Sequence, residues 1–282
     1  MEKLNGRETA EEIRAELKAA VMIRKEKGIK TPHLAAVLVG NDGGSMSYVG
    51  AKVKACDEIG FESSLIRFED TVTEQELLNK VEELNQDEEI DGFIVQLPLP
   101  KHINETKITD HISPNKDVDG FHPINAGYLF EGKPSFIPCT PHGIIKMLEF
   151  YEIEIEGKNA VVLGRSNIVG KPASILLLQK NATVTICHSR TKDLAKILSA
   201  ADIIVAAIGR ANFVKKDMVK KGAVVIDVGI NRLETGKLAG DVDFTEVSKV
   251  CSYITPVPGG VGPMTITMLL WNTVLSLEKS IS

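Results

Sequence analysis

The sequence predicts an α/β protein of two lobes, each assembled from parallel-sheet βα units, and three observations carry the prediction. β-rich apolar runs alternate with helical patterns in two separate series. A Pro-, Gly- and Asn-rich stretch, residues 113–141, lies between the series. The second series opens on a glycine-flanked turn, Gly164 to Pro172, wedged between a β-branched run and an apolar helical run.

In chain order, the first series reads as strand 33–39, helix 45–59, strand 62–68, helix 73–86 and strand 92–97. Thr73-Glu74-Gln75-Glu76 is a capping box and marks the start of the second of those helices. An amphipathic helix follows at 141–151. The second series has strands at 159–163, 182–187, 202–208 and 223–228, with helices between, and a late strand at 253–257. Asn231 to Gly240 reads as a polar hairpin, because Glu234-Thr235-Gly236 supplies turn chemistry. A final helix spans 263–279. Near-continuous apolar strands alternating with helices imply parallel sheets covered on both faces. The expected domains are 1–140 with 264–282, and 141–263, the second of Rossmann type. Two long helices are expected to join the lobes around a cleft.

Composition narrows the class. The 282 residues are 43% hydrophobic and 25% charged, enough for two cores. A net charge of −5 argues against a nucleic-acid partner, which calls for a basic face. Cys56, Cys139, Cys187 and Cys251 lie far apart with no C-x-x-C pair, and the six histidines form no ligand-spaced cluster. This pattern predicts reduced thiols and no metal. The charged N-terminus has no apolar signal segment, and the apolar run 264–277 is shorter than the ~20 residues a bilayer needs. A cytoplasmic protein without a membrane partner is expected.

The turn after strand 159–163 reads Gly164-Arg165-Ser166-Asn167-Ile168-Val169-Gly170-Lys171-Pro172. A strand–loop–helix unit of this kind aims backbone N–H groups and a positive helix end at an anion. It departs from G-x-G-x-x-G, and a tight turn needing glycine for steric reasons is the bland alternative. The next strand ends in His188-Ser189-Arg190-Thr191. An NAD site usually carries Asp or Glu at that point for the ribose hydroxyl. Here Ser189, Arg190 and, from the first loop, Arg165 suit a 2′-phosphate instead, so NADP is the expected dinucleotide.

Candidate chemistry lies mostly in the first series. Tyr48 and Lys52 are four apart on one helix face, which meets the carboxyl ends of the strands. Lys54 falls about 200° around the helix and reads as solvated. A Tyr-x-x-x-Lys pair also occurs in short-chain dehydrogenases, but there it follows the nucleotide loop rather than preceding it. Gln96 sits at the end of an apolar strand before Pro98, where it either caps local backbone or holds Lys52 and a ligand atom. Asp119 in Lys116-Asp117-Val118-Asp119-Gly120 is either a turn residue or a carboxylate able to accept two parallel hydrogen bonds from an amino-pyrimidinone. Asp227-Val228-Gly229-Ile230-Asn231 ends a strand beside the expected dinucleotide site. Pro256 to Pro263 forms a rigid loop poor in side chains, suited to lining a slot for a flat ring.

Taken together, Tyr48-x-x-x-Lys52, Val95-Gln96-Leu97-Pro98, Lys116 to Gly120, Gly164-Arg165-Ser166, Asp227-Val228-Gly229 and Pro258 to Thr265 resemble one family. It is the bifunctional methylenetetrahydrofolate dehydrogenase/methenyltetrahydrofolate cyclohydrolase family, and the resemblance covers essentially the whole length in the family's order. Asp42-Gly43-Gly44-Ser45 departs from the Pro-Ala-Ser often found before the tyrosine helix. The resemblance implies oxidation of 5,10-methylenetetrahydrofolate by NADP, then hydrolysis of the methenyl product to 10-formyltetrahydrofolate. By similarity, Lys52 is the central catalytic residue, Tyr48 and Gln96 orient it, and Asp119 grips the pterin. Val95, Leu97, Pro258, Gly259, Gly260, Val261 and Gly262 are expected to line the folate slot. Gly164, Arg165, Ser166, Ser189, Arg190 and Ile230 are expected to hold NADP. Homodimerisation is likewise implied by the family. Two alternatives stand beside this reading. A shikimate-type dehydrogenase leaves Gln96 and the loop 258–263 unexplained, and a non-catalytic NADP sensor leaves the Tyr48–Lys52–Gln96–Asp119 set without a use.

Overall fold

The computed structural model describes residues 1–281. The chain begins with a two-residue strand β1 (Glu2–Lys3) and a long helix α1 (Gly6–Glu26). Next come β2 (His33–Val39), α2 (Gly43–Ile59), β3 (Glu62–Phe68), α3 (Glu74–Gln86) and β4 (Gly92–Val95). Two short helices follow, α4 (Glu105–Thr109) and α5 (Pro123–Glu131). The second half runs α6 (Cys139–Phe150), β5 (Asn159–Leu163), α7 (Gly170–Gln179), β6 (Thr183–Cys187), α8 (Leu194–Leu198), β7 (Ile203–Ala206) and β8 (Val224–Asp227). A hairpin of β9 (Asn231–Arg232) and β10 (Leu238–Ala239), α9 (Phe244–Val247), β11 (Tyr253–Ile254) and α10 (Val261–Ile281) complete it.

Two compact units result, one of residues 12–139 with 266–282, the other of 1–11 with 140–265. The first contains the parallel sheet β3-β2-β4. Its central strand is buried almost throughout, whereas β3 at the edge alternates between exposed and partly buried positions. Val37, Val39, Leu77, Val81, Phe93 and Ile108 pack one side of this sheet. Thr73 closes the capping box on α3, accepting from the Glu76 N–H while Glu76 accepts from the Thr73 N–H. The Asp42 departure has a local consequence: its carboxylate accepts from Ser45 N at 2.8 Å and starts α2 at Gly43, two residues before the expected position.

The second unit contains a six-stranded parallel sheet in the order β1-β11-β8-β7-β5-β6. Sequence and structure differ here at the N-terminus. Residues 1–11 belong to this unit, not to the first, because Glu2 and Lys3 pair with Tyr253 and Ile254. Two residues carry no periodic signal, so this strand has no signature in the sequence. The segment is held closely, since a Cβ at Gly6 would stand 1.8 Å from the Gly260 carbonyl oxygen. A second difference concerns the long helices. Those that pass from one unit to the other are α1 and α10, while α6 begins at the boundary itself.

Candidate active site and nucleotide loop

The buried stripe of α2 is Ser45, Val49, Lys52, Ala55, Cys56 and Ile59, which is helical spacing with a lysine in its middle. Lys52 is 5% exposed, whereas the Lys54 side chain is 78% exposed and pairs with Glu58, as expected of a solvated lysine. A buried ammonium needs partners. Lys52 Nζ donates to Gln96 Oε1 at 3.2 Å and lies 5.2 Å from the centre of the Tyr48 ring. Gln96 Nε2 donates to its neighbour's carbonyl, Leu97 O, at 2.7 Å. That second bond fixes which end of the amide faces Lys52, because the flipped amide would set NH₂ against an ammonium.

Gln96 lies one residue past β4, and its backbone N–H extends the ladder to Val37 O at 2.9 Å. The following Leu97–Pro98 peptide is cis, as is Val257–Pro258. Val95 is buried and Leu97 partly buried.

The two aspartates of residues 116–120 have separate fates. Asp117 is consumed by its own loop, accepting from Phe121 N, His122 N and Asn125 Nδ2 at 3.1, 2.8 and 2.9 Å. Asp119 is partly buried, and among the described residues its only hydrogen-bond partner is the Cys139 thiol, 4.0 Å away. Burial raises the Asp119 carboxyl above the usual range, while the Lys52 charge opposes that rise. The site therefore gathers Tyr48, Lys52, Gln96 and Asp119 in one unit, with one carboxylate left nearly unbonded.

In the other unit the nucleotide loop is built on steric necessity. Gly164 has φ +132°, and a Cβ there would stand 2.2 Å from Ala207 O. A Cβ at Gly170 would stand 2.4 Å from Gly164 O. Ser166 Oγ accepts from Val169 N and Gly170 N at 3.2 and 3.3 Å, so its hydroxyl is engaged in starting α7. Among the described residues, the N–H groups of Arg165, Ser166, Asn167 and Ile168 have no protein acceptor. Gly164 N donates to Cys187 O at 2.9 Å, which brings this loop beside the end of β6. There His188 and Thr191 bond each other across a turn and leave Ser189 and Arg190 exposed. No carboxylate stands in that turn. Four free N–H donors and exposed guanidinium groups fit a dinucleotide bearing a 2′-phosphate.

Ile230 is 58% exposed and lines a pocket of about 170 Å³ with Arg7, Gly229 and residues 256–263. The residue expected at NADP and the loop expected at folate thus share one pocket wall. A larger pocket of about 390 Å³, with Lys158, Asp202 and Tyr253, lies at the amino ends of β5, β7, β8 and β11. Ligands of open α/β sheets bind at the opposite, carboxyl ends.

Two buried carboxylates anchor these loops, Asp241, which the sequence reading leaves out, and Asp227, which it names only as part of a motif. Asp241, wholly buried, accepts from three successive backbone N–H groups, Ile208, Gly209 and Arg210, at 2.6, 3.0 and 2.7 Å. Asp227 accepts from Gly229, Asp241 and Val242, and burial pushes its carboxyl up to about 6 against the pull of those bonds. A Cβ at Gly240 would strike Asp227 and one at Gly229 would strike Asp241, which explains both glycines. Gly240-Asp241 after the hairpin was the available signal, but it is indistinguishable from a turn.

The fold and these clusters define a two-unit α/β protein with a Rossmann-type sheet and a buried lysine site. A family profile described as the catalytic domain of tetrahydrofolate dehydrogenase/cyclohydrolase matches residues 4–119, and that family's NAD(P)-binding domain profile matches 138–281. The chain belongs to the tetrahydrofolate dehydrogenase/cyclohydrolase family. It is 57% identical over 291 residues to the bifunctional protein FolD of Bacteroides thetaiotaomicron, covering 100% of this chain and 99% of that one. The crystal structure of the bifunctional enzyme FolD from Campylobacter jejuni superposes with a TM-score of 0.97 at 52% identity, covering 99% of each chain. The Trypanosoma brucei enzyme, solved with NADP cofactor and inhibitor, gives a TM-score of 0.94 at 38% identity, with 98% of this chain and 97% of that one covered.

Proposed function

We propose that this protein oxidises 5,10-methylenetetrahydrofolate with NADP and then hydrolyses the methenyl product to 10-formyltetrahydrofolate. The observation that carries the reading is Lys52, buried, bonded to Gln96 and set beside an unengaged Asp119. Full-length similarity to proteins named bifunctional FolD supports the same pair of reactions.

In the first reaction, hydride leaves the methylene carbon, and NADP supplies the acceptor when bound. Gly164 and Gly170 let the backbone turn tightly enough to present the free N–H groups of residues 165–168 to phosphate, and Arg165, Ser189 and Arg190 take the 2′-phosphate. Such a transfer asks mainly for alignment, because the substrate carbon is already activated by its nitrogens. In the second, water adds to the methenyl carbon and gives up one proton, and the carbon's bond to N5 then breaks as the remaining hydroxyl proton passes to N5 and the formyl C=O forms. Lys52 moves that proton, either directly or through water, Tyr48 and Gln96 hold its amine in place, and Asp119 grips the amino-pyrimidinone ring with paired acceptor oxygens. Val95 and Leu97 supply apolar contact to the folate. The wall formed by Pro258, Gly259, Gly260, Val261 and Gly262 suits a flat ring.

A homodimer in the cytoplasm completes the proposal, and sedimentation equilibrium reports the first of those properties. The activity test mixes protein, methylenetetrahydrofolate and NADP, and follows NADPH together with the methenyl chromophore. NADPH should appear, and methenyl species supplied separately should decay faster than without protein. Absence of both signals would remove the reading, and NADPH without accelerated decay would reduce it to a dehydrogenase.

A further inference from the structure

The surroundings of Asp119 pose a physical question. Its carboxylate is nearly unbonded, so something other than its own hydrogen bonds must set its direction. The backbone around it supplies the answer. Val118 O belongs to the peptide group that carries the Asp119 N–H, and it accepts from Asn272 Nδ2 at 2.8 Å and from Cys139 Sγ at 3.4 Å. The second Asn272 amide proton goes to Ile137 O at 3.0 Å. One side chain on α10 therefore ties the peptide before Asp119 to the strap that leads into α6. On the other side of Asp119, Gly120 has φ +73° and is packed so tightly that a Cβ would stand 2.7 Å from both Phe136 O and Pro138 N. The same strap thus touches the chain on both sides of Asp119.

Asn272 is 1% exposed, and among the described residues its side chain bonds only to these carbonyls and to the Cys139 sulfur. A buried apolar residue would serve helix packing at that place without the cost of desolvating an amide. We propose that Asn272, with Cys139, is a positioning residue for the folate-binding reaction, fixing the Val118–Asp119 peptide plane so that the Asp119 carboxylate faces the ring it grips. The proposal rests on the role given to Asp119 above.

A double-mutant cycle separates the two claims. Asn272→Ala, Asp119→Ala and the double variant are compared by initial rates of NADPH formation, with KM measured for both substrates. Asn272→Ala should raise the KM for methylenetetrahydrofolate about tenfold, the size expected for loss of an oriented hydrogen-bonding group, and leave the KM for NADP within about twofold. In the Asp119→Ala background the same change should add nothing, because there is no carboxylate left to aim. A general loss of fold would instead raise both KM values or lower thermal stability enough to remove activity. If Asn272→Ala does not fold, Cys139→Ala carries the same cycle, since its thiol donates to the same carbonyl. Equal multiplication of the folate KM in both backgrounds would overturn the positioning role while leaving Asp119 in place. An unchanged folate KM in Asp119→Ala would overturn the role of Asp119, and this proposal with it.

Discussion

Lys52 and Arg165 are both cations assigned to a ligand, and the protein treats them in opposite ways. Lys52 is 5% exposed, lies on the core-facing stripe of its helix and is already bonded to Gln96. Arg165 is exposed on a loop, with no protein partner among the described residues. The difference fits the roles proposed for each. A group that moves a proton needs a fixed position and a dry neighbourhood, and so has to be held before substrate arrives. A group that recognises a phosphate from solvent gains from being free to close on it, at the cost of ordering a flexible side chain on binding. The proposed function thus assigns preorganisation to the lysine site and recognition to the loop.

The strongest way to break this contrast is to damage the loop and watch the lysine site. Gly164→Val places a side chain against Ala207 O at a left-handed φ, with ~1–3 kcal/mol of backbone strain before any steric displacement. NADP affinity should fall by at least ~10²-fold, while decay of added methenyl species stays near wild-type. Loss of both activities together would mean that the two regions are not separable.

A smaller effect sharpens the recognition half. If Arg165 reads the 2′-phosphate as proposed, Arg165→Ala removes a charge-assisted bond worth ~1.5–3 kcal/mol, and titration with the two dinucleotides should show weaker NADP binding and little change for NAD. Equal losses for both would show that Arg165 does not read the 2′-phosphate.

The preorganised half is tested by Gln96→Ala, which frees Lys52 without removing it. Methenyl hydrolysis should drop by about 10- to 30-fold, the ~1.5–2 kcal/mol at the lower end for a hydrogen bond to a charged group, as suits a 3.2 Å bond, and NADPH formation should drop less. An equal fall in the two rates would place Gln96 in substrate binding alone.

The last expected effect is a shift in pH. On the proposed reading Asp119 grips the ring as a carboxylate, and its carboxyl is raised by burial and held down by the Lys52 charge. Lowering the pH should therefore weaken folate binding from above the ordinary carboxylate range. In Lys52→Met the opposing charge is gone, so the carboxyl rises further and the same weakening should begin at higher pH. Folate affinity measured across pH in both proteins checks the sign, and a shift to lower pH would show that Lys52 does not act on Asp119.

The parts of the fold legible in the sequence are those written in periodicity. The strand β2, helix α3 with its capping box and the strand β5 stand where alternation and caps place them. The lysine pair was legible because helical spacing alone separates a buried Lys52 from a solvated Lys54. Strand β1 was not, since two residues have no period, whereas α1 does carry a legible stripe, with Ala10, Ile13, Leu17 and Val21 buried at helical spacing. Asp241 and Asn272 were hidden for a different reason. Their backbone partners lie 31 to 154 residues away, and no local pattern encodes such a pairing. Ser166, expected at the cofactor, also accepts two bonds that start α7, and that second use depends on a loop conformation the sequence does not specify.

The most direct test of the division of labour is Lys52→Met, which keeps the length and apolar packing of the side chain and deletes the amine. NADPH formation and decay of the methenyl species are measured on the same preparation, with folate and NADP binding checked separately. Methenyl hydrolysis should fall by at least ~10²-fold, the usual worth of a positioned acid or base, and NADPH formation should fall less. Hydrolysis close to the wild-type rate would contradict the assignment of Lys52 as the hydration catalyst.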